Sequence, residues 1–343
     1  TLSLDPTTSN GSYSFDLLGN LDHPFAGNEN DINLDFVFRA SDSDGDLGRT
    51  EGFRITLDDD GPVAGAVVAL SSVDEDDLSV GNDLPKESLA TSADLGISWG
   101  ADDAKAGDAN VVDVRTLGFD DLEASIADLT SDNVGLQLGT VTTLANGGQT
   151  VTVYKGDPSN GEAVFSLTLD PTSAGGTATF ELLGNLDHPD AGEDSLPLSF
   201  GYTATDSDGD SVDGSFTVDV VDDVPLIPLG STNSTVDEDG IPFLGGGLPG
   251  SNPGGPDDNA LATASSFGSL GIFWGADNAN PTSGAGAGDR SVAFNGITNG
   301  TPVTYDGGTN LTSNGAAVLY HLIDAQTLVG YTGETPPTLI GDS

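Results

Sequence analysis

The sequence contains no cysteine and no methionine, and only 8 of its 343 residues are lysine or arginine. Without cysteine there are no disulfides, which fits either a cytosolic protein or an extracellular one whose cross-links are metal ions. No apolar run reaches the roughly 18 residues of a membrane-spanning helix, and no signal-peptide pattern is present. We therefore expect no membrane insertion by this chain itself, and the missing initial methionine predicts a piece of a longer protein.

Acidic residues, in contrast, are abundant: 55 Asp and Glu give a formal net charge of −47. Negative charge of this size argues against nucleic acids and anionic membranes as partners and favours small cations. Hydrophobic residues still make up 36% of the chain and recur in short periodic runs such as INLDFVFRA, so the chain can bury a core. We expect a folded protein whose charge is offset by bound cations.

Four segments of the chain occur twice. They are LSLDPTTSNGSYSFDLLGNLDHP and LTLDPTSAGGTATFELLGNLDHP (2–24 and 167–189), DSDGD (42–46 and 206–210), VDED (73–76 and 236–239), and LGISWGAD and LGIFWGAD (95–102 and 270–277). The repeat is therefore a whole domain rather than a solenoid turn. Boundaries at DDDGP and DDVP predict the C-terminal part of one repeat unit at 1–60, a complete unit at 61–223 and the N-terminal part of the next unit at 224–343.

Alternating apolar residues dominate each unit. The pattern is carried by Phe36, Phe38, Phe53, Ile55 and Leu57, and in the second copy by Phe200, Tyr202, Phe216, Val218 and Val220. Gly, Asp, Asn and Pro separate these runs, as they do between strands. The sequence predicts an all-β protein built of tandem antiparallel β-sandwich modules of the Ig-like kind.

Two local features stand beside this strand pattern. In FDDLEASIADL (119–129) the apolar residues have helical spacing, which predicts a short surface helix. Trp99 and Trp274 lie in the repeated LGI-[SF]-WGAD and are predicted to anchor the core rather than to bind a ligand.

Each DSDGD loop places three carboxylates within five residues, where they repel one another unless solvent or a cation screens them. An oxygen-only donor set selects hard cations, and an irregular loop suits Ca²⁺ better than octahedral Mg²⁺. The spacing is not that of an EF-hand. The alternative is a solvated turn rich in Asx turns. We predict calcium ligands at Asp42, Asp44, Asp46, Asp206, Asp208 and Asp210.

A second acidic cluster follows each DSDGD loop after one strand. That strand spans roughly 35 Å, so the two clusters of one unit lie at opposite ends and cannot share an ion. The far cluster therefore needs ligands from the next unit, and VDED follows it closely. The alternative is a charged linker that keeps neighbours apart. We predict an interdomain calcium clamp formed by Asp58, Asp59, Asp60, Asp74, Glu75 and Asp76, and again by Asp222, Asp223, Asp237, Glu238 and Asp239.

The joint pattern of LxLDP, LLGNLDHP, a strand ending in DSDGD, a closing DD-x-P and a following VDED resembles the extracellular repeats of giant repeats-in-toxin (RTX) adhesins. These are type I-secreted surface proteins of Gram-negative bacteria, and the resemblance covers essentially the whole chain. It implies Ca²⁺-dependent β-sandwich modules that project adhesive domains for biofilm formation or attachment, with the Asp residues of DSDGD and DD-x-P as ligands.

The sequence departs from the RTX pattern in two ways. It contains no GGxGxDxUx nonapeptides, and Gly61 between Asp60 and Pro62 is interpreted as an insertion that disturbs the first junction.

Other functions are weighed against this extender role. An enzyme is not expected, because the only histidines are His23, His188 and His321, two of them in the duplicated LDHP, and no catalytic motif is present. A calcium-dependent carbohydrate- or peptide-binding module is the main alternative, with 101–129 as its candidate insertion. A third possibility is the protective charge of a salt-adapted secreted protein. Expected partners are calcium ions and neighbouring repeat units, with surface glycans or peptides bound through other parts of the parent protein.

Overall fold

The computed structural model describes residues 1–23, 30–81, 84–108, 113–228, 234–236, 265–277, 290–305 and 307–333. The chain forms two compact units, Thr1–Asp277 and Asn278–Ser343. The predicted ligands Asp237, Glu238 and Asp239 lie outside the described residues.

The first 60 residues form two antiparallel hairpins. Strand β1 (Leu2–Asp5) pairs with β2 (Ser12–Phe15), and β3 (Ile32–Phe38) pairs with β4 (Glu51–Leu57). The alternation seen in the sequence places Phe36 opposite Phe53, and Tyr13 of β2 stacks on Phe53 with ring centroids 4.2 Å apart. The predicted strand pair is therefore confirmed in this part of the chain.

Residues 61–223 form two larger sheets. Their strands are β5 (Val68–Ala69), β6 (Val73–Asp74), β7 (Ala90–Asp94), β8 (Thr116–Asp120), β9 (Thr130–Ser131), β10 (Val134–Leu138), β11 (Thr142–Thr143), β12 (Gln149–Lys155), β13 (Glu162–Asp170), β14 (Thr177–Leu182), β15 (Ser195–Thr205) and β16 (Ser211–Val221). One sheet has the order β7-β14-β13-β12-β10-β9, with β11 also beside β12, and the other has the order β5-β16-β15-β8, with β6 also beside β16. All pairings are antiparallel except β5 and β6 on β16.

The core lies between these two sheets. Alternate residues of β15 and β16 are buried, and Phe200 contacts Phe165 and Phe180 of the other sheet with ring centroids 5.9 and 6.4 Å apart. Burying a side chain of this size contributes roughly 1.5–3 kcal/mol. The predicted period-2 pattern is confirmed, and the chain is nearly all β. Trp99 is buried in this core as predicted, whereas Trp274 is only half-buried.

The candidate sites lie at the two ends of β16. The DSDGD loop precedes β16 and Asp222 follows it, and the 11 residues between them span about 35 Å. Strand β6 pairs in parallel with the C-terminal end of β16, with Val73 beside Val220 and Asp74 beside Val221. This pairing carries the next residue, Glu75, to the far end of the unit, where the 3₁₀ helix Glu75–Asp77 begins.

The predicted helix at 119–129 is present but shorter. Helix α1 covers Leu122–Ile126, and its Leu122 and Ile126 side chains are buried. Phe119 instead belongs to β8, where it pairs with Tyr202, and Asp121 adopts a left-handed conformation that starts the helix late. No helix among the described residues is long and apolar enough to cross a membrane.

The second unit contains three short antiparallel hairpins in its described residues. Their strands are β17 (Thr304–Tyr305) with β18 (Thr309–Asn310), β19 (Thr312–Ser313) with β20 (Ala316–Ala317), and β21 (Leu319–Leu322) with β22 (Leu328–Tyr331).

Candidate cation sites at the two ends of the repeat unit

The loop 206–210 is closed by its own backbone and by one aspartate. Asp206 N donates to Asp210 O at 2.9 Å, and Asp206 Oδ1 accepts from Gly209 N at 3.0 Å and from Asp210 N at 2.8 Å. Gly209 has φ +113°, a conformation that other residues rarely adopt. The sequence DSDGD therefore folds as an Asx-type turn that gathers its carboxylates.

Two of the three carboxylates of this loop are almost fully buried, and the third, that of Asp208, is partly buried. Asp206 and Asp210 are each 3% exposed, and one oxygen from each of Asp206, Asp208 and Asp210 lies within 4.8 Å of the others. Asp206 Oδ2 and Asp208 Oδ1 have no hydrogen-bond partner. Burial, followed by the neighbouring Asp208, raises the pKa of Asp206 to about 7. Such a group is stabilised either by a proton or by a cation.

Residues from the first 60 cover this loop and complete what we call the near-end cluster. His23 N donates to Asp208 Oδ2 at 3.2 Å, and Asn20 Nδ2 donates to Asp102 Oδ1 at 2.6 Å. Asp102 in turn accepts through its backbone oxygen from Ser207 N and Oγ, both at 3.0 Å. The near-end cluster consists of Asn20, His23, Asp59, Asp60, Asp102, Asp206, Asp208 and Asp210.

Asp59 and Asp60 bring a second group of carboxylates to the near end. Together with Asp102 they offer three oxygens within 4.8 Å of one another. Burial is the main cause that raises the pKa of Asp59 and of Asp102, and Asp208 adds to both shifts. The predicted ligand Asp58 is exposed and does not belong to this group.

A matching far-end cluster lies at the other end of β16. Glu75, Asp222, Asp223 and Asp277 each offer one oxygen within 4.8 Å of the others. Glu75 is fully buried, and its Oε2 has no hydrogen-bond partner, like the Oδ1 atoms of Asp222 and Asp223. Burial raises the pKa of Glu75 to about 7 and that of Asp277 to about 6.

The two clusters are built by the same repeated segments. Asn185 Nδ2 donates to Asp277 Oδ1 at 2.5 Å, as Asn20 does to Asp102. Asp223 Oδ2 accepts from Ala276 N, as Asp60 Oδ2 accepts from Ala101 N. These shared bonds link LGNLDHP, DD-x-P and WGAD in both places.

The equivalence of Asp60 and Asp223 corrects one sequence interpretation. Both residues lie two positions before a proline and both bind the WGAD backbone, so Gly61 occupies the place of Val224. Gly61 is therefore not an insertion, and the first junction is not disturbed by it. The repeated acidic pair is Asp59 and Asp60, which corresponds to Asp222 and Asp223, and Asp58 precedes this pair.

A second correction concerns VDED. The sequence predicted that Asp74, Glu75 and Asp76 join Asp58–Asp60, but the parallel β6–β16 pairing places Glu75 beside Asp222 and Asp223 at the opposite end. Asp74 caps the 3₁₀ helix instead, since its Oδ1 accepts from Asp76 N at 2.9 Å. The prediction that the acidic clusters on either side of β16 are far apart is consistent with this geometry.

Sequence reasoning missed Asp102 and Asp277, the last residues of the two WGAD copies. The signal was present in the repeat, but only its tryptophan was interpreted. The glycine of the motif carries a second signal, because Gly100 and Gly275 have φ +75° and +78° and a Cβ at either position would overlap the carboxylate of Asp60 or Asp223.

The donor chemistry of both clusters fits a hard divalent cation. Their carboxylate oxygens are buried, several lack a hydrogen-bond partner, and Ca²⁺ takes six to eight such oxygen ligands. Among the described residues, the Lys and Arg ion pairs lie elsewhere, at Arg49, Arg54 and Lys155. One histidine lies beside each cluster, with His23 Nδ1 3.4 Å from Asp59 Oδ2 and His188 Nε2 3.7 Å from Glu75 Oε1. A single imidazole cannot offset several buried carboxylates, so each cluster requires either protons or a metal ion.

Comparison with the models of known protein families, with curated proteins and with solved structures finds no match to this chain.

Proposed function

We propose that this chain is a run of calcium-stabilised extender repeats from a bacterial cell-surface adhesin of the RTX kind, built of Ig-like β-sandwich modules. The observation that supports this most is the contact between consecutive repeats at both ends of the complete unit, where each meeting place is lined by buried carboxylates. Such sites fill at the millimolar Ca²⁺ concentrations found outside cells. The proposed location is therefore extracellular.

The residues proposed to hold calcium divide between the two clusters. At the near end they are Asp59, Asp60, Asp102, Asp206, Asp208 and Asp210, and at the far end they are Glu75, Asp222, Asp223 and Asp277. A bound Ca²⁺ would supply positive charge that neutralises carboxylates from two consecutive repeats. Without it these carboxylates repel one another across the linker, so each linker becomes free to bend.

The competing binding-module hypothesis depended on an insertion at 101–129. This segment instead contributes Leu117, Leu122 and Ile126 to the core and Asp102 to the near-end cluster. These contacts favour an architectural role for the described part of the segment. The experiment below also tests for calcium-dependent binding of a glycan or peptide.

Small-angle scattering of the full chain, in millimolar Ca²⁺ and in excess chelator, tests the extender role. We expect calcium to give a stiff, extended particle and chelation to give a flexible one. The double variant Asp222→Asn with Asp223→Asn should be flexible in saturating Ca²⁺, because its far-end carboxylates are lost. The matched double variant Asp42→Asn with Asp44→Asn should remain stiff, because those side chains are exposed.

An unchanged scattering profile, together with calcium-dependent binding in a glycan or peptide array, would contradict the extender role and favour an adhesive module. Diffuse, weak calcium uptake without saturable sites would instead favour the protective charge of a salt-adapted protein.

A further inference from the structure

The far end of the complete repeat contains a buried histidine, His188, which is not among the proposed calcium ligands. The His188 side chain is 2% exposed, and neither of its ring nitrogens has a hydrogen-bond partner. His188 Nε2 lies 3.7 Å from Glu75 Oε1, which is too long for a hydrogen bond. One atom each from His188, Glu75 and Asp222 lies within 4.8 Å of the others.

Two of these three residues, Glu75 and Asp222, directly follow paired strands, which fix their backbone. Glu75 follows β6, and its Oε1 accepts from Leu186 N at 2.7 Å, which leaves the fully buried Oε2 without a hydrogen-bond partner. Asp222 directly follows β16, and its Oδ1 also lacks a hydrogen-bond partner. Glu75 and Asp222 thus each bring to the His188 imidazole a carboxylate that has one oxygen without a hydrogen-bond partner.

We propose that Glu75, His188 and Asp222 form a binding site for a divalent transition metal ion of the Zn²⁺ type. An imidazole with two carboxylates suits Zn²⁺ and its neighbours, whereas Ca²⁺ prefers oxygen ligands alone. Atoms bound to one tetrahedral ion at about 2.1 Å lie roughly 3.4 Å apart, which is close to the Nε2 to Oε1 separation.

A further carboxylate lies where a supporting residue is expected. Asp194 Oδ1 is 3.2 Å from His188 Nδ1, the ring nitrogen away from Glu75. Histidines that bind metal through one nitrogen commonly have a carboxylate beside the other, which fixes the ring orientation. Asp194 is therefore a positioning residue rather than a ligand.

The alternative is an imidazolium that pairs with the surrounding acids and binds no metal. Burial alone would lower the pKa of His188, but Glu75, Asp222 and Asp194 together raise it. A protonated His188 offsets one negative charge, whereas a divalent ion bound to the neutral ring offsets two. The two states differ in whether the protein takes up a metal ion, which can be measured.

All three proposed ligands belong to 61–223, so this ion would close the end of one repeat rather than join two repeats. It would share Glu75 and Asp222 with the far-end calcium cluster and so compete with Ca²⁺ there. The ion would bind whether or not the repeats act as an extender.

The chain contains an internal control at the near end. His23 Nδ1 lies 3.4 Å from Asp59 Oδ2. His23 is thus beside an aspartate of DD-x-P, as His188 is beside Asp222. Its Nδ1 is also 2.5 Å from the backbone oxygen of Asn30, and His23 belongs to no metal-binding group among the described residues. We therefore expect one transition-metal site per chain rather than two.

Titration of the chelator-stripped full chain with Co²⁺, followed by visible absorption and calorimetry, tests this site. We expect one Co²⁺ per chain with the intense d–d bands of low-coordinate cobalt, displaced by Zn²⁺. His188→Gln should lower Co²⁺ affinity by more than about 100-fold and Asp194→Asn by about 10–100-fold. The control variant His23→Gln should retain wild-type affinity.

Absence of the visible bands, bands that survive His188→Gln, or equal losses in His188→Gln and His23→Gln would each overturn the proposal. If His188→Gln does not fold by circular dichroism, the contrast between Asp194→Asn and His23→Gln decides instead. A scattering profile that changes with calcium, together with the absence of Co²⁺ bands, would contradict this metal site and leave the extender function supported.

Discussion

The two DSDGD loops have the same five residues but different surroundings. In the loop 42–46 all three aspartates are exposed, and hydrogen bonds from within the loop, first from Asp44, lower the pKa of Asp42. In the loop 206–210 the same residues are largely buried, and the pKa of Asp206 is raised to about 7, first by burial. The difference comes from His23, Asp102 and Gly61, which pack on the second loop only.

This comparison shows that the motif alone does not make a strong cation site. DSDGD gathers three carboxylates in both places, but only contact with neighbouring segments removes water from them. A buried carboxylate gains far more from a cation than an exposed one does, because solvent already screens the exposed charge. The following predictions test whether the surroundings, rather than the motif, decide calcium binding.

The largest expected effect is that of removing calcium from the whole chain. Sites with Kd of about 10⁻⁴–10⁻³ M each contribute about 0.4–1.4 kcal/mol at millimolar Ca²⁺. Since 1 kcal/mol corresponds to about 2–4 °C for a domain of this size, several sites should shift Tm clearly. Thermal unfolding with and without chelator measures the shift, which should persist in Asp42→Asn with Asp44→Asn. An unchanged Tm on chelation would contradict calcium binding altogether.

The second effect is a pH dependence of the calcium-free protein. The pKa values of Asp206 and Glu75 are raised to about 7 and that of Asp277 to about 6, so the folded state holds more protons than the unfolded state between about pH 4 and 7. Stability in chelator should therefore fall as the pH rises from about 5 to 8, and the stabilisation by calcium should grow over the same range. Melting curves in chelator at about pH 5 and pH 8 check this. A stability that rises between these two pH values in chelator would contradict it.

A smaller effect is expected from filling the space beside Asp60. Gly100→Ala should destabilise the protein by roughly 1–3 kcal/mol. Alanine is strained at the φ of +75° that Gly100 adopts, and its Cβ would also overlap the Asp60 carboxylate. Gly45→Ala is the matched control: it has φ +97° but no atom within 4 Å of the new Cβ, so it carries the backbone strain alone. Denaturant unfolding should give a larger loss for Gly100→Ala. Equal losses would show that the WGAD contact is unimportant.

The smallest effect is a stabilisation expected in one loop and not in the other. In calcium-free protein at about pH 8, Asp206→Asn should stabilise on the order of 1 kcal/mol, because it removes a charge that burial disfavours. Asp42→Asn should not stabilise, because hydrogen bonds favour its charged form. Asparagine is the suitable change because alanine would also delete the acceptor of Gly209 N and Asp210 N. Denaturant unfolding in chelator gives both values, and a loss in Asp206→Asn would indicate a structural cap alone.

Features with local causes could be predicted from the sequence. The strands that carry Phe36, Phe53, Phe200 and Phe216 follow from a period of two, which depends only on neighbouring residues. The gathering of carboxylates in DSDGD is equally local. The helix was placed correctly but too long, since Phe119 was counted into it although strand pairing holds that residue.

Features with long-range causes could not be predicted. Which acidic segments meet depends on the parallel pairing of β6 with β16, and nothing near VDED in the sequence indicates that pairing. For the same reason Glu75 was assigned to the wrong end. The repeat of WGAD marks Asp102 and Asp277 as a shared feature of the two copies, but it does not indicate which distant segment will pack on them.

The central claim, that calcium binds where repeats meet rather than wherever DSDGD occurs, is tested most directly by calorimetric Ca²⁺ titration of two matched variants. Asp208→Asn and Asp44→Asn change the middle aspartate of the buried loop and of the exposed loop. We predict that Asp208→Asn weakens or removes one of the saturable sites, whereas Asp44→Asn leaves the saturable sites as in the wild type. An equal or greater loss of saturable binding in Asp44→Asn would contradict the claim.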